Sequence, residues 1–169
     1  SAIDKEIATA MVKTFSSSGG LYLDTARIYS GGMCESIVGD AVKGFERGSL
    51  RIGSKASPSQ AGGLSANGIQ SQLDTSLKAL GTPSLSEYYL HQPDTEHSLL
   101  ESLQKAHDLV QEGLIENIGL SNYHADEVHN CFRLCETHGL TKPSVYQGLY
   151  NPLNRLVEDD LFSVLRENN

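Results

Sequence analysis

Residues 86–122, SEYYLHQPDTEHSLLESLQKAHDLVQEGLIENIGLSN, contain the pattern that decides the fold of this chain. The segment 86–90 is strand-like and runs into His91, and residues 114–120 form another apolar strand. Between the two strands, apolar residues recur at helical spacing over 99–110. A strand, a helix and a second strand in this order predict two parallel strands that are joined by a helical crossover.

The same alternation continues on both sides of this unit. Strands are predicted at 21–24, 50–55, 86–90, 114–120 and 144–147, and helices at 3–15, 35–45, 69–80, 99–110, 128–135 and 157–165. Gly81 and Gly139 stand where helix C-terminal caps are expected, and Ser98 and Glu101 have capping-box spacing. Five strands alternating with six helices fit either an open doubly wound sheet or an eight-stranded barrel. A closed barrel usually needs about 250 residues, so either the sheet is open or part of a barrel is missing.

The composition is typical of a globular protein, and we expect residues 1–169 to form a single domain, because 38% of them are hydrophobic. No apolar run approaches the roughly 18 residues of a membrane helix, and no apolar signal segment stands at the start. The formal charge of −8 comes without a basic stripe, which argues against nucleic-acid binding. The odd number of cysteines disfavours a disulfide framework, and the histidines lack metal-ligand spacing. We therefore expect a cytoplasmic protein that binds neither membranes nor metal ions.

Polar, reactive residues stand where each predicted strand ends. They are Asp24, Lys55, His91, Ser121 with Asn122, and Gln147. In parallel α/β proteins this end of the strands carries the active site. The segment 24–29, DTARIY, lacks the glycine-rich phosphate fingerprint of a doubly wound dinucleotide-binding fold. The sequence thus predicts an active site at the strand ends and disfavours the open dinucleotide-binding sheet.

These residue types suggest proton transfer to an oxygen atom of a substrate. A lysine that is buried beside an aspartate persists only as a pair, and Lys55 and Asp24 are the candidates. An ammonium favours the phenolate form of a neighbouring tyrosine, which lets that phenol donate a proton near neutral pH. Tyr29 lies in the same loop as Asp24, and a neutral imidazole at His91 can hydrogen-bond a substrate oxygen.

Six segments of the chain resemble the aldo-keto reductase family. They are LDTA at 23–26 with Tyr29, ESIVG at 35–39, IGSK at 52–55, LHQPD at 90–94, GLSNY at 119–123 and VYQGLYN at 145–151. The resemblance covers almost the whole chain, in the order and at the spacings of the family. The stretches QLDTSLKAL at 72–80 and 145–151 are most similar to its aflatoxin-aldehyde reductase branch.

This resemblance implies a catalytic tetrad of Asp24, Tyr29, Lys55 and His91. In that family, NADPH delivers a hydride to an aldehyde or ketone carbon and NADP+ is the product. Tyr29 would protonate the developing alkoxide, Lys55 would favour release of that proton, and Asp24 would hold Lys55. His91 would orient the carbonyl oxygen.

The resemblance also implies the contacts to the cofactor and the kind of substrate. Asp24 would lie in the cofactor site, and Ser121, Asn122 and Gln147 would hydrogen-bond the nicotinamide carboxamide. The substrate would be a small aldehyde or ketone of the aflatoxin-dialdehyde or succinic-semialdehyde type. Relatives of this branch are commonly dimers, so a homodimer is a further expectation.

The family fold is a (β/α)8 TIM barrel, and by the resemblance this chain matches its strands two to six. We therefore expect an incomplete barrel with about five parallel strands and six helices. In the family, the remaining strands carry much of the cofactor-binding surface. Two alternatives to an active reductase thus stay open. One is a truncated, catalytically inactive product, and the other is a regulatory protein on the same scaffold, as in potassium-channel β subunits.

Overall fold

The computed structural model describes residues 3–46 and 48–168, in which five parallel strands form one sheet. The strands are β1 (Tyr22–Asp24), β2 (Arg51–Ala56), β3 (Leu85–Leu90), β4 (Ile115–Ser121) and β5 (Val145–Gln147). The helices are α1 (Lys5–Ser17), α2 (Met33–Val42), α3 (Ala66–Leu80), α4 (Leu99–Gln111), α5 (Ala125–His138) and α6 (Leu161–Glu167). Short 3-10 turns occupy Tyr29–Gly32 and Leu156–Glu158. The predicted α/β class is confirmed.

The strands lie in the sheet in the order in which they occur in the chain, and every neighbouring pair is parallel. Each crossover therefore advances in the same direction, and right-handed crossovers then place all the helices on one face of the sheet. A doubly wound sheet reverses its direction and carries helices on both faces. The expected incomplete barrel is thus confirmed, and the alternative of an open doubly wound sheet is wrong.

The main core lies between the sheet and helices α3 to α6. Its fully buried members come from every layer of this half-barrel and include Ile69, Leu73, Leu90, Leu103, Leu109, Ile118 and Val128. All six residues of β3 are buried. Helices cover one face of this central strand, and on the other face side chains of β2 cover it, where Arg51 pairs with Glu87 and Lys55 lies beside Tyr89. The central strands β3 and β4 therefore give the strand ends a rigid support.

The apolar row that predicts α1 does not face the core. Ile3, Ile7, Met11 and Phe15 are between 41% and 55% exposed. The buried side of this helix consists instead of Ala8 and Val12, which pack with Ala41 and Leu50. The helix itself is confirmed, but small side chains make its contact with the rest of the structure.

The ends of several helices differ from the sequence pattern. The helix α2 begins two residues before the predicted start and ends at Val42, earlier than predicted. The helix predicted over 157–165 divides into a 3-10 turn and the short helix α6. The capping box predicted at Ser98 and Glu101 is wrong, because the Ser98 side chain makes no capping hydrogen bond. Glu101 instead accepts a hydrogen bond of 2.7 Å from the backbone N–H of Ala66, at the beginning of α3.

The glycine caps are confirmed. Gly81 ends α3 and Gly139 ends α5, with φ angles of +67° and +65°. These left-handed conformations are unfavourable for residues with a Cβ, so glycine lets each helix stop and turn toward the next strand.

Candidate active site

The carboxyl ends of the strands bring the predicted site residues to one edge of the sheet. Asp24, Ser121 and Gln147 are the last residues of β1, β4 and β5, Lys55 is the penultimate residue of β2, and His91 follows β3. The backbone N–H of His91 donates to the backbone oxygen of Ala56 at 2.9 Å, and Ser121 pairs in register with Gln147. Parallel pairing therefore brings these residues to the same edge of the sheet, at the carboxyl ends of the strands.

Lys55 is a fully buried cation in this site, with a side chain that is 0% exposed. Its ammonium donates hydrogen bonds to Asp24 Oδ2 at 2.6 Å and to the backbone oxygen of Thr25 at 2.8 Å. The Asp24 side chain is 41% exposed. The pair thus reaches from the interior to the open side of the site, and the counter-ion satisfies a charge that could not otherwise stay buried.

Two tyrosine rings flank the Lys55 ammonium. The nitrogen lies 5.0 Å from the ring centre of Tyr29 and 5.4 Å from that of Tyr89, within the range of cation–π contacts. Tyr89 pairs in register with Lys55 on the neighbouring strand, so both side chains point to the same face of the sheet. Burial raises the pKa of Tyr89 to about 12, so it stays a neutral phenol at physiological pH.

The sequence argument missed Tyr89, although Gly119 offered a signal for it. Gly119 pairs with Tyr89 in register, and a Cβ atom at Gly119 would overlap the Tyr89 ring. An isolated glycine inside a strand often marks such a close approach. Gly119 thus leaves the space that the Tyr89 ring fills beside Lys55.

His91 faces Tyr29 across the site. The two ring centres are 5.7 Å apart at an interplanar angle of 77°, an edge-to-face arrangement. His91 is 8% exposed, and its Nδ1 has no hydrogen-bond partner within the described part of the chain. Burial, together with the positive charge of Lys55, lowers the pKa of the His91 imidazole, against a smaller opposite effect of Asp24. A neutral imidazole is the expected form at physiological pH.

Asn122 connects β4 to His91. Its amide nitrogen donates to the backbone oxygen of His91 at 2.8 Å and to Ser121 Oγ at 3.1 Å. The backbone of Asn122 has a φ of +60°, a conformation that asparagine tolerates better than most other residues. These contacts leave the Ser121 hydroxyl hydrogen and the Asn122 amide oxygen for a ligand, since each hydrogen-bonding group has its own donor or acceptor capacity.

The structure therefore brings the seven predicted residues to one edge, but it connects them unequally. Asp24, Tyr29, Lys55 and His91 make direct contacts with one another. Ser121 and Asn122 join this group through the backbone of His91. Gln147 is linked to it only through the pairing of β5 with β4.

A cavity of about 780 Å³ lies beside the site. It borders Asn122, continues along the start of α5, and is bounded on the other side by Leu156, between β5 and α6, and by Leu161 at the start of α6. None of the residues Asp24, Tyr29, Lys55 and His91 lines it. The tetrad thus lies on the open inner face of the half-barrel rather than inside this cavity.

Residues 3–46 and 48–168 offer neither a cluster of metal ligands nor a membrane-spanning helix. No group of three or more histidine, cysteine, aspartate or glutamate side chains in these segments could hold a metal ion. Likewise, none of the helices described there has the length and apolar character needed to cross a membrane.

The half-barrel and the strand-end cluster define a parallel α/β protein with a lysine–aspartate pair beside a tyrosine and a histidine. The model of the aldo/keto reductase family matches residues 1–169, and the chain belongs to this family. The recognised resemblance is thereby confirmed.

Individual relatives match the chain over nearly its whole length. Aflatoxin B1 aldehyde reductase member 2 of Rattus norvegicus is 40% identical over 166 residues, which cover 97% of this chain and 45% of that protein. Aflatoxin B1 aldehyde reductase member 4 of Homo sapiens is 39% identical over 168 residues, 97% of this chain and 50% of that protein. These matches support the similarity to the aflatoxin-aldehyde reductase branch.

A solved structure has the same fold. A thermostable aldo-keto reductase, crystallised with the inhibitor epalrestat, superimposes with a TM-score of 0.83 at 31% sequence identity. The match covers 97% of this chain and 58% of that protein. The chain thus spans about half the length of the curated relatives that it matches.

Proposed function

We propose that this chain carries the proton-transfer half of an NADPH-dependent oxidoreductase that reduces aldehydes or ketones to alcohols. The observation that carries this proposal is the Lys55 ammonium, which is fully buried, paired with Asp24 and in contact with the Tyr29 ring. A buried cation next to a phenol favours loss of the phenolic proton. Tyr29 is 37% exposed as a residue, so it lies partly on the open side of the site.

Each residue of the tetrad has a separate role in this proposal. Tyr29 donates the proton to the oxygen of the reacting carbonyl, and Lys55 stabilises the negative charge that the phenol acquires. Asp24 pairs with the Lys55 ammonium and holds it in place. His91, as a neutral imidazole, donates a hydrogen bond to the carbonyl oxygen and holds it near the Tyr29 hydroxyl.

The residues at the end of β4 fit the carboxamide of a nicotinamide cofactor. Because Asn122 uses its amide nitrogen within the protein, its oxygen can accept from the carboxamide nitrogen. The Ser121 hydroxyl can donate to the carboxamide oxygen, and we assign a further polar contact to Gln147. When bound, the cofactor supplies the hydride, while these residues and Asp24 bind and orient its ring.

The proposed substrates are reactive small aldehydes of the aflatoxin-dialdehyde or succinic-semialdehyde type. The aflatoxin B1 aldehyde reductases of rat and human, at about 40% identity, support this choice. In this proposal Tyr29 and His91 recognise the carbonyl oxygen rather than the rest of the molecule. Selectivity among aldehydes therefore depends on residues beyond this tetrad.

The first experiment measures NADPH binding by calorimetry and the reduction of 4-nitrobenzaldehyde, with the Tyr29→Phe variant as the comparison. We expect Tyr29→Phe to lose at least about 100-fold in kcat, the scale of general acid catalysis, while its NADPH affinity stays within about twofold, a small change in binding energy. Turnover by Tyr29→Phe equal to that of the wild type would refute the proposed proton donor. A folded chain that neither binds NADPH nor reduces the aldehyde would support the inactive or regulatory alternatives.

A further inference from the structure

A buried carboxylate connects the loop that carries Tyr29 to the sheet. Glu35, in the first turn of α2, is 0% exposed. Its Oε1 accepts a hydrogen bond of 2.6 Å from the Ser54 hydroxyl, and its Oε2 forms an ion pair with Arg27. We call these three side chains the Arg27–Glu35–Ser54 network. Arg27 lies before Tyr29 in the chain and Glu35 lies after it, so this carboxylate closes the Tyr29 loop.

The network contacts the strand that also holds the buried lysine. Ser54 and Lys55 are neighbours in β2, so their side chains point to opposite faces of the sheet. Lys55 contacts the Tyr29 ring on the inner face, and Ser54 binds Glu35 on the helix face. Any shift of Glu35 relative to Ser54 therefore moves the start of α2. The loop that carries Tyr29 moves with it, because this loop leads into α2.

Among the described residues, the backbone of this loop is hydrogen-bonded to β2 at its first residues. The N–H of Thr25 donates to the oxygen of Gly53 at 3.0 Å, and that of Arg27 donates to the oxygen of Lys55 at 3.4 Å. Its later backbone hydrogen bonds stay within the loop, from the N–H of Tyr29 to the oxygen of Ala26 at 3.1 Å and from the N–H of Gly31 to the oxygen of Ile28 at 3.3 Å. After Tyr29 the backbone turns through left-handed conformations at Ser30 (φ +49°) and Gly31 (φ +63°).

The path of the loop also depends on the Arg27 side chain. The φ of Gly32 is +90°, and a Cβ atom there would overlap the Arg27 guanidinium. The guanidinium therefore lies against the loop backbone as well as against Glu35. The Arg27 side chain is only 14% exposed, so solvent competes weakly for this ion pair.

We propose that the Arg27–Glu35–Ser54 network positions Tyr29 for proton transfer by holding its loop against β2. This inference rests on the proposed function, since it assigns residues that act through the Tyr29 hydroxyl. None of the three side chains needs to touch the substrate. Their effect is geometric, and a displacement of about 1 Å in a reacting group can cost about 100-fold in rate.

The test compares Arg27→Met with Arg51→Met. Arg51 lies at the opposite end of β2, has a side chain that is 33% exposed, and forms ion pairs of 3.3 Å with Glu87 and 2.9 Å with Glu116. Both variants thus remove an arginine from ion pairs around the same strand, but only Arg27 belongs to the network. Glu35→Gln, which retains an acceptor for Ser54 and loses the charge, is the second variant should Arg27→Met fail to fold.

Two measurements decide the proposal. Hydrogen–deuterium exchange of the amides in 27–35 should accelerate at least about tenfold in Arg27→Met and change little in Arg51→Met, because local opening governs exchange. In the NADPH-dependent reduction of 4-nitrobenzaldehyde, kcat of Arg27→Met should fall about 10- to 100-fold. The KM values for NADPH and for the aldehyde should stay within about twofold of those of the wild type. Arg27→Lys, which keeps the cation, should recover part of kcat.

Three outcomes would overturn the proposal. The first is unchanged amide exchange of 27–35 in Arg27→Met, and the second is an equal loss of kcat in Arg27→Met and Arg51→Met. The third is faster exchange in Arg27→Met with an unchanged kcat. The failure of the proposed function has a different signature. A wild-type chain without turnover would refute carbonyl reduction, and the exchange measurement would then decide by itself whether the network holds the Tyr29 loop.

Discussion

The two partners of the Lys55–Asp24 pair should differ in their effect on stability, because they are buried to different extents. Lys55 is 0% exposed and the Asp24 side chain is 41% exposed. The variant Asp24→Asn leaves a buried ammonium without a counter-ion, although the backbone oxygen of Thr25 still accepts from it at 2.8 Å. Breaking a fully buried pair costs about 3–5 kcal/mol. Since water reaches Asp24, we expect Asp24→Asn to lower the free energy of unfolding by about 2–3 kcal/mol.

The reverse substitution should cost much less. Lys55→Met replaces the buried ammonium by an apolar side chain of similar length, which removes the cost of keeping that charge away from water. The carboxylate of Asp24 is exposed enough to be hydrated. The Thr25 oxygen loses a donor, which costs about 1 kcal/mol. We therefore expect the free energy of unfolding of Lys55→Met to lie within about 1 kcal/mol of the wild-type value.

Urea unfolding followed by circular dichroism measures both values, provided that the slopes with urea agree. Lys142→Met is the control, because it breaks the exposed Lys142–Glu136 pair, whose side chains are 43% and 60% exposed. It should change the free energy of unfolding by less than about 0.5 kcal/mol. A Lys55→Met variant less stable than Asp24→Asn would refute the argument from burial. On the proposed mechanism, Lys55→Met should lose turnover in spite of its stability.

Two further predictions concern pH and helix capping. Because burial lowers the pKa of His91, the unfolded chain binds a proton there before the folded chain does as the pH falls below about 6.5. The free energy of unfolding should thus decrease as the pH falls below about 6.5, and His91→Gln should lose that part of the decrease, measured by urea unfolding above and below this pH. Glu101→Ala should cost about 0.5–2 kcal/mol, as the loss of a capping contact does, because Glu101 accepts from the Ala66 N–H at the start of α3. Ser98→Ala should cost less, and thermal unfolding that ranks the two variants in the opposite order would refute the capping assignment.

The periodic patterns predicted where the helices and strands lie better than they predicted what packs against them. Strand–helix alternation identified the parallel class, since each crossover spans a helix that can be recognised from its own apolar spacing. The same kind of spacing, at Ile3, Ile7, Met11 and Phe15, predicted α1 correctly, although this apolar face is exposed. Periodicity reports that side chains share a face, and it carries no information about what packs on that face. For the same reason, the Ser98–Glu101 spacing did not reveal that Glu101 caps another helix.

At the site, the sequence by itself determined which reactive groups stand at the strand ends: Asp24, Lys55, His91, Ser121, Asn122 and Gln147. A parallel strand places its last residue at the carboxyl edge of the sheet, so position in the chain is enough to predict this set. The alternation of strands and helices left the order of the strands open. The tertiary structure gives the order of an incomplete barrel, which the family resemblance had implied.

The tertiary structure also decided which side chains hold the reactive groups in place. It placed Tyr89 against Lys55 and joined Arg27, Glu35 and Ser54 into one network. The physical reason is that these contacts depend on register between neighbouring strands and on the approach of a helix to the sheet. Strand register and helix position depend on packing between segments that are far apart in the chain, and a local pattern of residues does not encode that packing.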